Sequence, residues 1–401
     1  MLERINAFNF HINKYKVKEV YLMNQCIFSG SYAKEDVIFL LKDISSLIVE
    51  QDNEFRENAI QSGIHYSEML PIEYTPSKEY MDIFYSTLQG TKIKLASLVS
   101  VLSEKIIEAR GKNIVLVSLA RAGTPIGILI KRYMKFKYNI DIPHYSISII
   151  RDKGIDKNAL THILKTHSPQ AIQFIDGWTG KGVIQHTLTK ACKQLYEEFN
   201  ISINSDLAVL SDPAHCAHIY GTREDFLIPS ACLNSTVSGL VSRTVLNDKY
   251  ISSDDFHGTK FYSELKSSDV SNFFIDEICN CFNSIDENYI SELSILPSTC
   301  EVAADIEFNE DFLSCKGLRD IESIKQKFDI NNINLIKPGI GETTRVLLRR
   351  IPWKILIDSF DNPNLLHIYK LAEEKNIPVE IYSDMCYSSC GIIKSKEKAD
   401  M

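Results

Sequence analysis

The sequence predicts an α/β protein, a parallel sheet with helices on its faces followed by a second, smaller α/β unit. Two observations predict it. Between residues 91 and 212, short β-rich runs alternate with segments of helical periodicity, the pattern of parallel strands joined through covering helices. From residue 318 the alternation resumes on a smaller scale. At 401 residues the chain exceeds one ordinary core, so two domains are expected. Hydrophobic content of 44% and charged content of 24% suit a globular protein, and a net charge of −8 argues against a nucleic-acid coat over the whole surface.

The elements follow in order. TKIKLASLVSVLSEKIIEAR (91–110) sets Leu95, Leu98, Val99, Leu102 and Ile106 at helical spacing, with Gly111 as its stop. NIVLVSLA (113–120) is a strand ending in RAGTP, and PIGILIKRYMKFKY is helical again. HYSISII (144–150) is a second strand, leading into the polar loop RDKGIDKNA. AIQFID (171–176) is a third, followed by a glycine loop and the helix VIQHTLTKACKQLYEEF (183–199). SDLAVLSD (205–212) is a fourth. In the second unit LRDIESIKQKF is a helix and KPGIGETT a loop leading into another helix. WKILIDS, LLHIYKLAEEK and PVEIYS follow as strand, helix and strand. Between Asp286 and Asp311 stand eight acids and no Lys or Arg, the texture of a linker. The expected division is therefore 1–285, an acidic connection over 286–317, and 318–401.

MLERINAFNFHINKYKVKEV breaks each apolar run with polar residues, so it does not resemble a signal peptide, and no run is long enough to span a bilayer. A cytoplasmic protein is expected; the sequence leaves homo-oligomerisation open. The ten cysteines contain no C-x-x-C pair, and the close pairs Cys279/Cys281 and Cys386/Cys390 lie about a hundred residues apart. A zinc ribbon and a disulfide framework are both unexpected, and most thiols should be buried.

In open α/β sheets ligands gather at the carboxyl ends of strands, where Arg121, Arg151 and Asp176 all fall. FIDGWTGKG (174–182) invites the question of a phosphate cradle, since glycines allow close backbone approach and a helix N-terminus favours an anion. It is not a Walker A loop, because Lys181 is followed by Gly182, and it lacks the G-x-G-x-x-G of a dinucleotide fold.

Together with LARAGTPIG (119–127), this loop resembles the type I phosphoribosyltransferases. The resemblance implies that Arg121, Ala122, Gly123 and Thr124 grip pyrophosphate, that Asp176 faces the ribose hydroxyls, and that Thr179, Gly180, Lys181 and Gly182 hold the 5′-phosphate of phosphoribosyl pyrophosphate (PRPP), with Gly177 in the same PRPP-binding loop. Arg151 and Lys153 would close over the leaving group, and Mg²⁺ would sit near Asp176 through ribose or water. The family usually has two adjacent acids; here Gly177 takes the second place.

IPSACLNSTVSGLVSRTVLN (228–247) admits three readings. Asn234, Ser235 and Arg243 would serve a nucleobase-type acceptor. Alternatively Cys232 is a nucleophile with His257 as base and Asp255 as orienter, with Cys216 between His215 and His218 as a rival. The plain reading is a capped, well-packed helix.

HYSEMLPIEY, REDFLIPSACLNSTVSGLVSRTVLN, DFHGTKFY and GIGETTRVLLRR, with the two loops above, are similar to the StiP family of bacterial tellurite-resistance stress operons. That family is described both as a phosphoribosyltransferase joined to a Pelota-type RNA-binding domain and as a cysteine protease. KPGIGETTRVLLRRIPWK resembles Pelota and L7Ae-like domains, which implies RNA contact through Gly339, Gly341, Glu342, Thr344, Arg345 and Arg349. Residues 331–360 carry five Lys/Arg against two acids, and Arg345 and Arg349 share a helical face. The expectation is Mg²⁺-dependent transfer of phosphoribose from PRPP to a base, with RNA as a partner. A thiol peptidase and a non-catalytic nucleotide- or RNA-binding module are the alternatives.

Overall fold

A computed structural model gives the architecture and describes residues 28–285, 315–350 and 352–393. Most of the acidic connection and the first 27 residues lie outside the described residues.

Thirteen strands are described. β1 (Ile38–Phe39), β3 (Val115–Ala120), β4 (His144–Ile150), β6 (Ile172–Trp178), β7 (Leu207–Ser211) and β8 (Ile219–Thr222) form the large sheet in the order β1-β4-β3-β6-β7-β8. All five of these pairings are parallel, and β5 (Gly154–Ile155) folds back antiparallel on β4. A small parallel ladder joins β2 (Lys42–Asp43) to β9 (Gly258–Thr259). Residues 115–119 are buried in succession, as expected of a strand covered on both faces.

Two apolar layers sandwich the sheet. One packs α2 (Lys78–Arg110), α3 (Gly123–Tyr138) and α6 (Ser271–Cys279) through Leu98, Ile126 and Phe274. The other packs α4 (Lys157–Leu164) and α5 (Val183–Phe199) through Leu160 and Leu188. The helix foreseen over 91–110 is the second half of the longer α2, stopped at Gly111, whose φ is 74°. α1 (Asn53–Gln61) starts on an Asp52 carboxylate that accepts from Phe55 N–H.

The C-terminal sheet runs β10-β13-β11-β12, built from Ile336–Pro338, Ser389–Ile393, Pro352–Ile357 and Val379–Ile381. α7 (Lys316–Lys327), α8 (Ile340–Arg349) and α9 (Leu366–Glu374) cover it. The segment read as a loop over 337–344 is half helix, because α8 begins directly after Gly339. The serine-rich stretch is not a helix. It forms two short 3₁₀ turns, Pro229–Ala231 and Ser235–Val237, since Ser, Thr and Asn compete for the backbone. One apolar cluster continues from the large sheet through Cys232 to Ile340 and Leu347, so the two units share a core.

Candidate active site

The carboxyl ends of β3, β6 and β8 meet the corner between β10 and α8, through Arg121, Trp178 and Asp225. Two cavities open there, of about 600 Å³ and about 590 Å³, and both are lined by Lys337 and Glu342.

The first cavity holds the glycine loop, whose polar groups are already engaged. Thr179 donates its hydroxyl to Asp212, a carboxylate with no exposed surface that also binds Arg223 and the N–H groups of Cys216 and Ala217. Lys181 donates to the Ile333 carbonyl at 2.6 Å, and burial lowers its pKa to about 8. Tyr387 donates to the Gly180 carbonyl at 2.6 Å. Gly182 caps α5 at φ 74°, and a Cβ there would stand 2.8 Å from the Cys216 sulfur. Asp176 accepts from Gly177 N–H at 2.7 Å, and burial pushes its carboxyl up to about 7. Among the described residues no group of three His, Cys, Asp or Glu is placed to hold a metal on protein ligands alone.

The other loops behave similarly. Arg121 donates to the Val241 carbonyl at 3.0 Å, and Ala122 is exposed. A Cβ on Gly123 would collide with the Ile175 carbonyl, so this glycine brings α3 against β6. Thr124 pairs with Ser146 in the core at 2.8 Å. Arg151 reaches Asn334 of the second unit at 3.2 Å and lies over the Tyr66 ring, while Lys153 is exposed on the β4–β5 turn. Arg243 donates to the carbonyls of Tyr66 and Met69 at 2.5 and 2.8 Å. Ser235 is buried, with its N–H 3.5 Å from Glu73.

The thiol triad does not assemble. Cys232 has no exposed surface, and burial raises its pKa to about 12 despite Arg345 and Arg349 nearby. His257 Nδ1 pairs with Ser148 Oγ at 2.8 Å, and the backbone N–H of His257 donates to Asp156. The Asp255 carboxylate binds Lys42 at 2.7 Å and Ser252 N–H. None of these hydrogen bonds joins Cys232, His257 and Asp255 to one another. The rival is closed as well: Cys216 is disulfide-bonded to Cys315 with Cα atoms 5.0 Å apart, a cross-link not expected from cysteine spacing because the partners are 99 residues apart. His215 is not hydrogen-bonded to it, and His218 pairs with Asp206 at 2.7 Å.

The corner expected to face RNA is turned inward. Gly339, at φ 89°, and Gly341 are buried; Cβ atoms there would stand 2.8 Å from the Trp178 ring and 3.2 Å from Ala231 Cβ. Thr344 is buried against Ile340 and His367, each 2.8 Å away. The absence of side chains at Gly339 and Gly341 is what admits Trp178. Glu342 lies 3.7 Å from Arg345, whose guanidinium donates to Asn234 at 3.0 Å. Arg349 donates to the Cys232 carbonyl and the Tyr80 hydroxyl, both at 3.3 Å.

Sequence reasoning missed Asp212, Asp225, Glu73 and Tyr66. The available signal was position: Asp212 follows the end of β7, and Asp225 follows β8 within RED.

Residues 30–279 match the family model described as "Tellurite-like stress resistance cysteine protease StiP". Residues 315–395 match the PELOTA RNA binding domain. A protein from Acinetobacter baylyi named "Cysteine protease StiP" is 36% identical over 382 residues, covering 93% of this chain and 95% of that protein. These descriptions overturn the expectation of Mg²⁺-dependent phosphoribosyl transfer from PRPP to a nucleobase, and with it the roles given to Asp176, Arg151 and Lys153 in that reaction. In the structure Thr124, Thr179 and Lys181 are hydrogen-bonded within the fold. Among the described residues, no helix is long and apolar enough to cross a membrane.

Proposed function

Since the chain belongs to the StiP family, we propose that it is a thiol-dependent peptidase. Family membership along most of the chain carries this reading. Cys232 is the proposed nucleophile: it is a free thiol in the segment REDFLIPSACLNSTV, whereas Cys216 is tied to Cys315. Its thiolate would attack the peptide carbonyl, expel the amine as a thioester forms, and be regenerated by water. Burial keeps the thiol protonated in the arrangement described, and Arg349 of α8 holds the Cys232 carbonyl. Access therefore requires α8 to lift from the 3₁₀ turns. His257 is committed to Ser148, so it is not assigned as the base.

The test is hydrolysis of an unfolded protein substrate by the full chain under reducing conditions. Activity abolished by iodoacetamide and by Cys232→Ala supports the assignment. Activity retained in Cys232→Ala moves the nucleophile to another cysteine, and activity indifferent to alkylation of every thiol rejects a thiol peptidase.

The match over 315–395 supports a second element, RNA contact by the C-terminal unit. Because the Gly339–Thr344 corner is docked on Trp178 and Asp225, that contact would use another face or follow undocking. Filter binding of structured RNA to wild type and to Arg350→Ala tests the first route.

A further inference from the structure

The 590 Å³ cavity between the two units is lined, among the described residues, by seven Lys and Arg side chains against two carboxylates, Glu73 and Glu342. In a protein of net charge −8 this is a strong local reversal. Elsewhere guanidinium and ammonium groups find carboxylates: Arg132 binds Asp36 and Asp276, and Lys260 binds Glu50 and Glu264.

Inside the cavity Arg121, Arg243 and Arg349 are hydrogen-bonded otherwise. The hydrogen bonds of Arg121, Arg243 and Arg349 end on the carbonyls of Val241, Tyr66, Met69 and Cys232 and on the Tyr80 hydroxyl. Arg345 alone among these four has a carboxylate partner, Glu342 at 3.7 Å. The Nε of Arg243 is buried with no hydrogen-bond partner. Arg121 and Arg243 come from the first unit, Arg345 and Arg349 from one face of α8 in the second. Burial first, and then neighbouring guanidinium groups, lower the proton affinity of Arg121, Arg243 and Arg349. Like charges gathered in a partly enclosed space repel across the docking interface unless an anion joins them.

We propose that this cavity binds a small oligophosphate, clamped between Arg121 and Arg243 of the first unit and Arg345 and Arg349 of the second. The planar, forked guanidinium matches phosphate oxygens two at a time. The volume lies in the range of small-molecule sites. Several cations call for several linked phosphates, carried by an inorganic chain or by a nucleoside. Tyr74 and Tyr80 also line the cavity and offer a surface for a base.

Calorimetric titration of the full-length protein with tripolyphosphate, ATP and a short single-stranded RNA, at low salt and without metal, tests this. Saturable one-to-one binding of tripolyphosphate is expected, weakened tenfold or more in the Arg345→Ala/Arg349→Ala double variant and unchanged in Lys157→Ala, whose side chain pairs with Glu198 far along the sequence. ATP binding tighter than tripolyphosphate identifies a nucleoside-bearing ligand, and equal binding identifies the phosphate chain alone. Should the double variant fail to fold by circular dichroism, Lys337→Ala serves in its place. Absence of saturable oligophosphate binding, equal affinity in the variants, or binding of RNA alone overturns the proposal.

Discussion

The carboxylate of Asp225 accepts the N–H of Ile340 at 3.0 Å, so a side chain of the first unit holds the first turn of α8 in the second. The same carboxylate accepts Ser388 N–H at 2.9 Å and is 5% exposed. Removing it strands buried donors on two segments, so Asp225→Ala should cost about 2–4 kcal/mol. Urea unfolding, read with limited proteolysis of the C-terminal unit, checks this.

Burial also sets a pH dependence. The Asp225 carboxyl is pushed up to about 7 from its ordinary 3.8, so the folded chain binds an extra proton between those values. The contribution favours folding below pH 4 and is lost as pH rises through 7. Asp176, raised to about 7 as well, acts in the same sense. The melting temperature of Asp225→Asn should therefore fall less between pH 4 and 8 than that of wild type. An identical fall in both proteins would show that the carboxyl titrates as usual.

Gly339 is held at φ 89° with the Trp178 ring where a Cβ would stand. Gly339→Ala combines backbone strain with a collision and should destabilise by about 1–3 kcal/mol. Tryptophan emission is the direct readout, because Trp178 is one of only two tryptophans in the chain. Unaltered emission and stability would contradict the docking of this corner.

Asp212 gathers Thr179, Arg223 and two backbone N–H groups with no exposed surface of its own. Asp212→Ala leaves a half-buried guanidinium and several donors without their acceptor and should cost about 3–5 kcal/mol. Thr179→Val removes one of these bonds and should cost about 1 kcal/mol. Equal losses in the two variants would mean that Arg223 is satisfied elsewhere.

With its thiol pushed up to about 12 by burial, Cys232 should react slowly with iodoacetamide at pH 7. Its rate should rise about tenfold per pH unit while the fold persists, because only the thiolate attacks. Mass spectrometry of the peptide containing Cys232 follows it; rapid labelling at neutral pH would place the thiol in the open.

The alternation of apolar runs by itself determined the parallel sheet and its helices. Residues 144–150 and 183–199 form the strand and helix their patterns describe, because a short β-branched run between turn signals suits a buried strand and a surface helix must repeat every three to four residues. The short edge strand Ile38–Phe39 and the inner strand Ser389–Ile393 gave no such pattern and depend on partners distant in sequence. The loops at the strand ends were also legible as places, since Arg121, Asp176 and Gly182 all lie at the site. What only the tertiary structure decided is what those side chains touch. Lys181 meets Ile333, Arg349 meets Cys232, and Gly341 meets Ala231 across more than a hundred residues of sequence. A hydrogen bond is satisfied by whichever partner packing brings within 3 Å, and no local pattern encodes that partner.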